Sequence, residues 1–194
     1  MLTTDPYEIV KSPEITVVAE LIGGVHPAYE LIKKAIEKGK HVVTANKELL
    51  AKHGEELFNY AEQHNVVILY EAAIAGGIPL IMPIKTILAG NKITKIEAIL
   101  NGTTNYILTN MDENQASYES VLKEAQELGY AEADPTGDVE GFDSAYKLTT
   151  LATITFNKRV KLENVYREGI TKVKSEDIKY ANELGYKIKL VAYA

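Results

Sequence analysis

The sequence predicts an α/β chain in two parts: a piece of a doubly wound parallel sheet over residues 1–78 and an α+β region over residues 79–194. Three observations predict it. Apolar runs at 15–22, 41–44 and 66–70 alternate with helix-like stretches, the rhythm of parallel βαβ units. Each run ends in glycine or in small or polar residues, at the strand ends where such sheets bind ligands. Beyond Gly77 the alternation stops, and helical and strand patterns mix.

The elements follow in order. Ile15 to Ile22 reads as a buried strand closed by the Gly23-Gly24 turn. Pro27 suits the first position of a helix. Ala28, Leu31, Ile32, Ala35 and Ile36 form its apolar face and Gly39 its C-terminal cap. His41 to Thr44 is the next strand, ending at Ala45-Asn46-Lys47, and a helix is expected from about Ala51 to His64. Val66 to Tyr70 is the third strand, followed by the loop Ala72 to Gly77. Ile78 to Leu88 has a helical pattern, and residues 93–100 form a strand candidate. Asn101-Gly102-Thr103-Thr104-Asn105 reads either as a turn in which Thr103 or Thr104 caps a helix through Met111 or as a strand–helix junction whose amides and hydroxyls suit a polar ligand, and composition does not separate the two. Ser117 caps another helix, closed by Gly129. The polar segment Tyr130 to Gly141 precedes a long helix to about Phe156. Val165 to Ile170 and Tyr186 to Ala194 read as strands, with a short helix from Ser175 to Gly185 between them.

Composition narrows the function. Hydrophobic residues make up 46% and charged residues 25% of the chain, which excludes a disordered segment. No apolar run is long enough for a membrane-spanning helix, so no membrane partner is expected. With no cysteine there is no disulfide framework, thiol nucleophile or thiolate metal site, and a reducing cytoplasm is the expected location. The net charge of −6, without a basic patch, argues against nucleic acid. His26, His41, His53 and His64 lack the spacing of a metal-binding pair.

The densest polar cluster is Glu132, Asp134, Asp138, Glu140, Asp143 and Lys147. Asp143 and Lys147 are four apart on the long helix and share a face. The bland reading is an exposed ion pair. The functional one is a lysine held by carboxylates at a pocket, able to exchange a proton with an oxygen. Lys47 would open a helix, where a cation is awkward unless an anionic ligand lies near. The small residues of Glu71 to Gly77 would let main-chain oxygens converge on a cation.

Together these stretches resemble the homoserine dehydrogenase family. The matching segments are Val18 to Gly24, Val43 to Lys47, Tyr70 to Pro79, Asn101 to Ile107, Ala131 to Pro135 and Gly141 to Leu148. The resemblance implies a partial Rossmann-like sheet followed by an α+β catalytic domain. It implies interconversion of L-homoserine, the small-molecule substrate, and L-aspartate 4-semialdehyde with NAD or NADP, on the route to threonine, methionine and isoleucine. By the same resemblance, Lys147 is the proton donor and acceptor, aided by Asp143. Glu132, Asp138 and Asp143 bind substrate. Lys47, Gly23 and Gly24 line the cofactor side. Glu71, Ile74, Gly76 and Ile78 hold a monovalent cation, Na or K, mainly through main-chain oxygens.

The family's phosphate-gripping G-x-G-x-x-G does not occur in the 194 residues. The chain is therefore expected to be a central fragment of a homodimeric parent, ending before the dimerisation strands, cofactor-free and inactive by itself. Two alternatives are the dehydrogenase portion of a bifunctional aspartate kinase–homoserine dehydrogenase and a folded non-catalytic remnant.

Overall fold

In the computed structural model, residues 2–194 are described. They form two compact units interleaved in sequence. The first reaches to Ile93 and includes Thr149–Leu162; the second comprises Thr94–Leu148 and Glu163–Ala194. The chain passes between the units after Ile93, within one long helix whose two halves fall in different units, and after Leu162.

In the first unit, helix α1 (Pro6–Lys11) precedes strand β1 (Val17–Glu20). Six residues are too few for an apolar period, so α1 escaped the pattern. Its signal is Asp5, whose carboxylate accepts from the Tyr7 N–H, ahead of Pro6. Then come α2 (Ala28–Glu37), β2 (His41–Thr44), α3 (Lys47–Gln63) and β3 (Ile68–Leu69). The strands pair in parallel in the order β1-β2-β3, with Val18 opposite Val42 and Val42 opposite Ile68. All five apolar positions expected on α2 are buried. Pro27 is its N-cap rather than its first residue. Helix α3 starts at Lys47, four residues earlier than expected, because Asn46 caps it.

The near-continuous apolar strands implied a sheet covered on both faces. Here Val42, Thr44, Ile68 and Glu20 are buried on one face, whereas Val17, Val43, Val67 and Leu69 on the other are exposed. Lys40 is buried and donates to the carbonyls of Ser12 and Ile15, joining the end of α1 to the approach to β1. Helix α4 (Ala72–Ala75) follows β3, and α5 (Ile81–Lys85) is shorter than the 78–88 helix expected. It starts where the Glu71 carboxylate collects the N–H groups of Leu80, Ile81 and Met82.

In the second unit, β4 (Glu97–Ala98) pairs antiparallel with β5 (Ala192–Tyr193), both shorter than expected. Between them lie α6 (Gly102–Asn114), α7 (Tyr118–Glu127), α8 (Thr136–Val139), α9 (Phe142–Phe156) and α10 (Ser175–Glu183). Ile107, Leu108, Met111, Val121, Ala125 and Ile178 form the core where α6, α7 and α10 pack. Ser117 caps α7 as expected, but α6 is capped by Asn101 and not by Thr103 or Thr104.

Residues 165–170 are not a strand. Their neighbour is a turn rather than a strand, and the Ile170 N–H donates to the Val139 carbonyl at 2.8 Å. Arg167 adds a bond to the Glu140 carbonyl at 2.9 Å and lies 3.4 Å from the Phe142 ring centre. The segment buttresses the turn between α8 and α9. Gly169 allows that approach, since a Cβ there would lie 2.5 Å from the Val139 carbonyl oxygen.

Candidate active site

The expected site residues fall into three groups. The first lies at the carboxyl ends of β1 and β2. Gly23 and Gly24 have φ of +81° and +68°, a region that favours glycine. A Cβ on either would meet nothing within 4 Å, so this main chain borders open space. A buried network that sequence reasoning missed shapes the turn. The Glu20 carboxylate accepts from the Ile22 N–H at 2.8 Å, the Gly23 N–H at 3.4 Å and the Thr44 hydroxyl at 2.7 Å. Thr44 in turn accepts from the Asn46 N–H at 3.0 Å. The Asn46 amide donates to the Gly24 carbonyl at 2.6 Å while its oxygen caps α3 through the Leu49 N–H at 3.1 Å. Lys47 follows directly, half-buried, as the first residue of α3. Open glycine main chain at parallel strand ends lies where doubly wound sheets bind their ligands.

The second group follows β3, where α4 takes up most of the loop expected over Ala72 to Gly77. The Glu71 carboxylate bonds the amides of Leu80, Ile81 and Met82, the last two at 2.7 and 2.9 Å. Burial pushes this carboxyl up, and the three amides together bring it below the usual glutamate value. The side chain of Glu71, expected with Ile74, Gly76 and Ile78 to bind a cation, is thus engaged by the main chain. Gly76 turns the chain with φ of +61°. Among the described residues no group of three or more His, Cys, Asp or Glu could hold a metal ion.

The third group is the carboxylate–lysine cluster of the second unit. Lys147 Nζ lies 2.7 Å from Asp143 Oδ2 and donates to the Leu100 carbonyl at 2.8 Å. Their side chains are 16% and 8% exposed, so this is not the exposed pair of the bland reading. Asn101 donates to Asp138 Oδ1 at 2.6 Å and to Asp143 Oδ2 at 2.9 Å. The cluster thus joins the end of β4, the start of α6, the helix α8 and the first two turns of α9. It holds two carboxylates against one ammonium, a setting for a cationic group. Glu132 is exposed, and its main-chain oxygen accepts from the Gln126 amide at 3.1 Å, away from this bonded set. The bonds of Asn101 to the carboxylates were not legible in the sequence, since its partners lie 37 and 42 residues away.

The family model for homoserine dehydrogenase matches residues 79–194, and that for the homoserine dehydrogenase NAD-binding domain matches residues 1–71. A homoserine dehydrogenase of Synechocystis is 53% identical over 194 residues, covering 100% of this chain and 45% of the relative. The crystal structure of a homoserine dehydrogenase from Thiobacillus denitrificans superposes with a TM-score of 0.97 at 52% identity, covering 99% of this chain and 44% of that one. A hyperthermophilic archaeal homoserine dehydrogenase in complex with NADPH gives 0.86 at 30% identity, covering 100% of this chain and 56% of that one. The chain spans less than half the length of the curated relatives it matches. Among the described residues no helix is long and apolar enough to cross a membrane.

Proposed function

The chain belongs to the homoserine dehydrogenase family, and on that premise we propose that its second unit carries the substrate-handling groups for NAD(P)-dependent interconversion of L-homoserine and L-aspartate 4-semialdehyde. The observation that carries this reading is the buried Asp143–Lys147 pair, fixed at the end of β4 by the Leu100 carbonyl. An ammonium has three N–H donors, and two are committed to Asp143 and Leu100. The third is left for the oxygen on C4 of the substrate.

When bound, the nicotinamide supplies or accepts the hydride. In the reducing direction Lys147 gives a proton to the aldehyde oxygen as its π electrons become a lone pair. In the oxidising direction the lysine amine takes the hydroxyl proton. Asp138 and Asp143 favour the substrate ammonium, with Glu132 reaching the same group from its exposed loop. Gly23, Gly24 and Lys47 serve the cofactor. Main-chain oxygens of Glu71, Ile74, Gly76 and Ile78 would hold Na or K, a reading supported by the small residues of that loop. A homodimer is supported by the family resemblance and by the exposed Ile99 and Tyr193 beside the β4–β5 pair.

The test is Lys147→Ala in the full-length protein that carries this chain. Homoserine-dependent reduction of NAD(P) should fall at least ~100-fold, the scale for losing a positioned acid–base group, with little change in NADPH affinity. Near-normal turnover would return Lys147 to a structural ion pair.

A further inference from the structure

We propose that Asn101 is a positioning residue of the carboxylate–lysine cluster, its one amide both capping α6 and clamping Asp138 to Asp143. The inference rests on the enzymatic reading above and adds a residue to it. Asn101 is 5% exposed. Its Oδ1 accepts from the Thr104 N–H at 2.8 Å and from the Thr104 hydroxyl at 2.9 Å. Its Nδ2 donates to Asp138 Oδ1 at 2.6 Å and to Asp143 Oδ2 at 2.9 Å. Two acceptor and two donor positions are the full capacity of the group.

The cap decides which way the amide faces. A helix N-terminus demands an acceptor, so Oδ1 must point at Thr104 and Nδ2 must point at the carboxylates. The reversed amide would set an oxygen against two carboxylates and an NH₂ against a backbone N–H. Asp143 Oδ2 receives both Asn101 and Lys147, so the clamp also sets the carboxylate that orients the lysine. Two negative groups that would repel each other are thereby held at a separation fixed by the start of a helix. Serine caps as well as asparagine but has no second arm. Aspartate caps equally well but presents only acceptors. Of these capping residues only asparagine meets both demands.

This separation of roles is the test. Asn101→Ser and Asn101→Asp should both keep α6 capped in the full-length protein; Asn101→Ser should melt near the wild-type temperature, whereas Asn101→Asp, which sets an oxygen against two carboxylates, should melt lower. Both should lower kcat/KM for homoserine by about 10- to 100-fold, the scale of a misplaced catalytic group. Only Asn101→Asp adds a third carboxylate to Asp138, Asp143 and Lys147, so only it should move the acid limb of the kcat/KM pH profile to higher pH. Both variants within twofold of wild type, with an unmoved profile, would reduce Asn101 to a helix cap. Activity lost only in proportion to lost folding would do the same. A wild-type protein without homoserine turnover would defeat the enzymatic reading itself and this inference with it, a result distinct from normal turnover in the variants.

Discussion

The strand-end turn of the first unit and the carboxylate–lysine cluster of the second solve one problem with different outputs. In each, an asparagine two residues beyond a threonine or isoleucine caps a helix with its oxygen and reaches out with its nitrogen. Asn46 caps α3 and holds the Gly24 carbonyl; Asn101 caps α6 and holds Asp138 and Asp143. The difference lies in what is held. In the first unit, Glu20 is neutralised by a hydroxyl and main-chain amides, and the network offers glycine backbone to its surroundings. In the second, the network offers charges: two carboxylates and an ammonium. Dipoles suffice to shape a backbone surface. Acid–base chemistry needs a titratable group held by counter-charge.

The largest effect expected on this comparison comes from Gly169→Ala. Its Cβ would meet the Val139 carbonyl oxygen at 2.5 Å and the Glu140 Cα at 2.8 Å, so the turn between α8 and α9 must move. A loss of about 3 kcal/mol is expected, the upper end for overpacking, together with lower homoserine turnover. NADPH affinity should hold. Equal loss of cofactor affinity would show that the two networks are not independent.

Glu20→Gln attacks the other side. The replacement keeps shape, but its NH₂ must either face the Ile22 N–H or turn the Thr44 hydroxyl into its acceptor, which leaves that hydroxyl's proton without its carboxylate partner. Leaving such a group unsatisfied costs about 2 kcal/mol. NADPH affinity should fall while the pH dependence of homoserine turnover stays in place. A shifted profile with intact affinity would reverse the assignment of roles.

The smallest effect concerns Glu71, whose carboxyl is lowered by three backbone amides against the pull of burial. A carboxyl lowered in the folded state stabilises fully above its unfolded pKa of about 4.3, and that contribution is lost as pH falls through the folded value. The stability difference between wild type and Glu71→Gln should therefore be present at neutral pH and vanish in acid. A constant difference between neutral and acid melts would show that the bonds depend on shape rather than charge.

Much was legible locally. Five apolar positions at helical spacing placed α2, and all five are buried. His41 to Thr44 is a strand to the residue. The i,i+4 spacing of Asp143 and Lys147 put them on one face of α9, where they pair. These features depend on neighbours within a turn or a strand, so sequence alone determines them. Tertiary structure decided the rest. Whether the pair was exposed or buried depended on Leu100 and Asn101, more than 40 residues away from Lys147 in the chain. The Glu20–Thr44 bond spans 24 residues, and Gly169 acquires its constraint from Val139 and Glu140. The exposed face of the sheet could not be read from the strands, because Val17, Val43 and Leu69 are as apolar as the buried Val42 and Ile68. Periodicity records which residues share a face. Only packing decides what, if anything, that face meets.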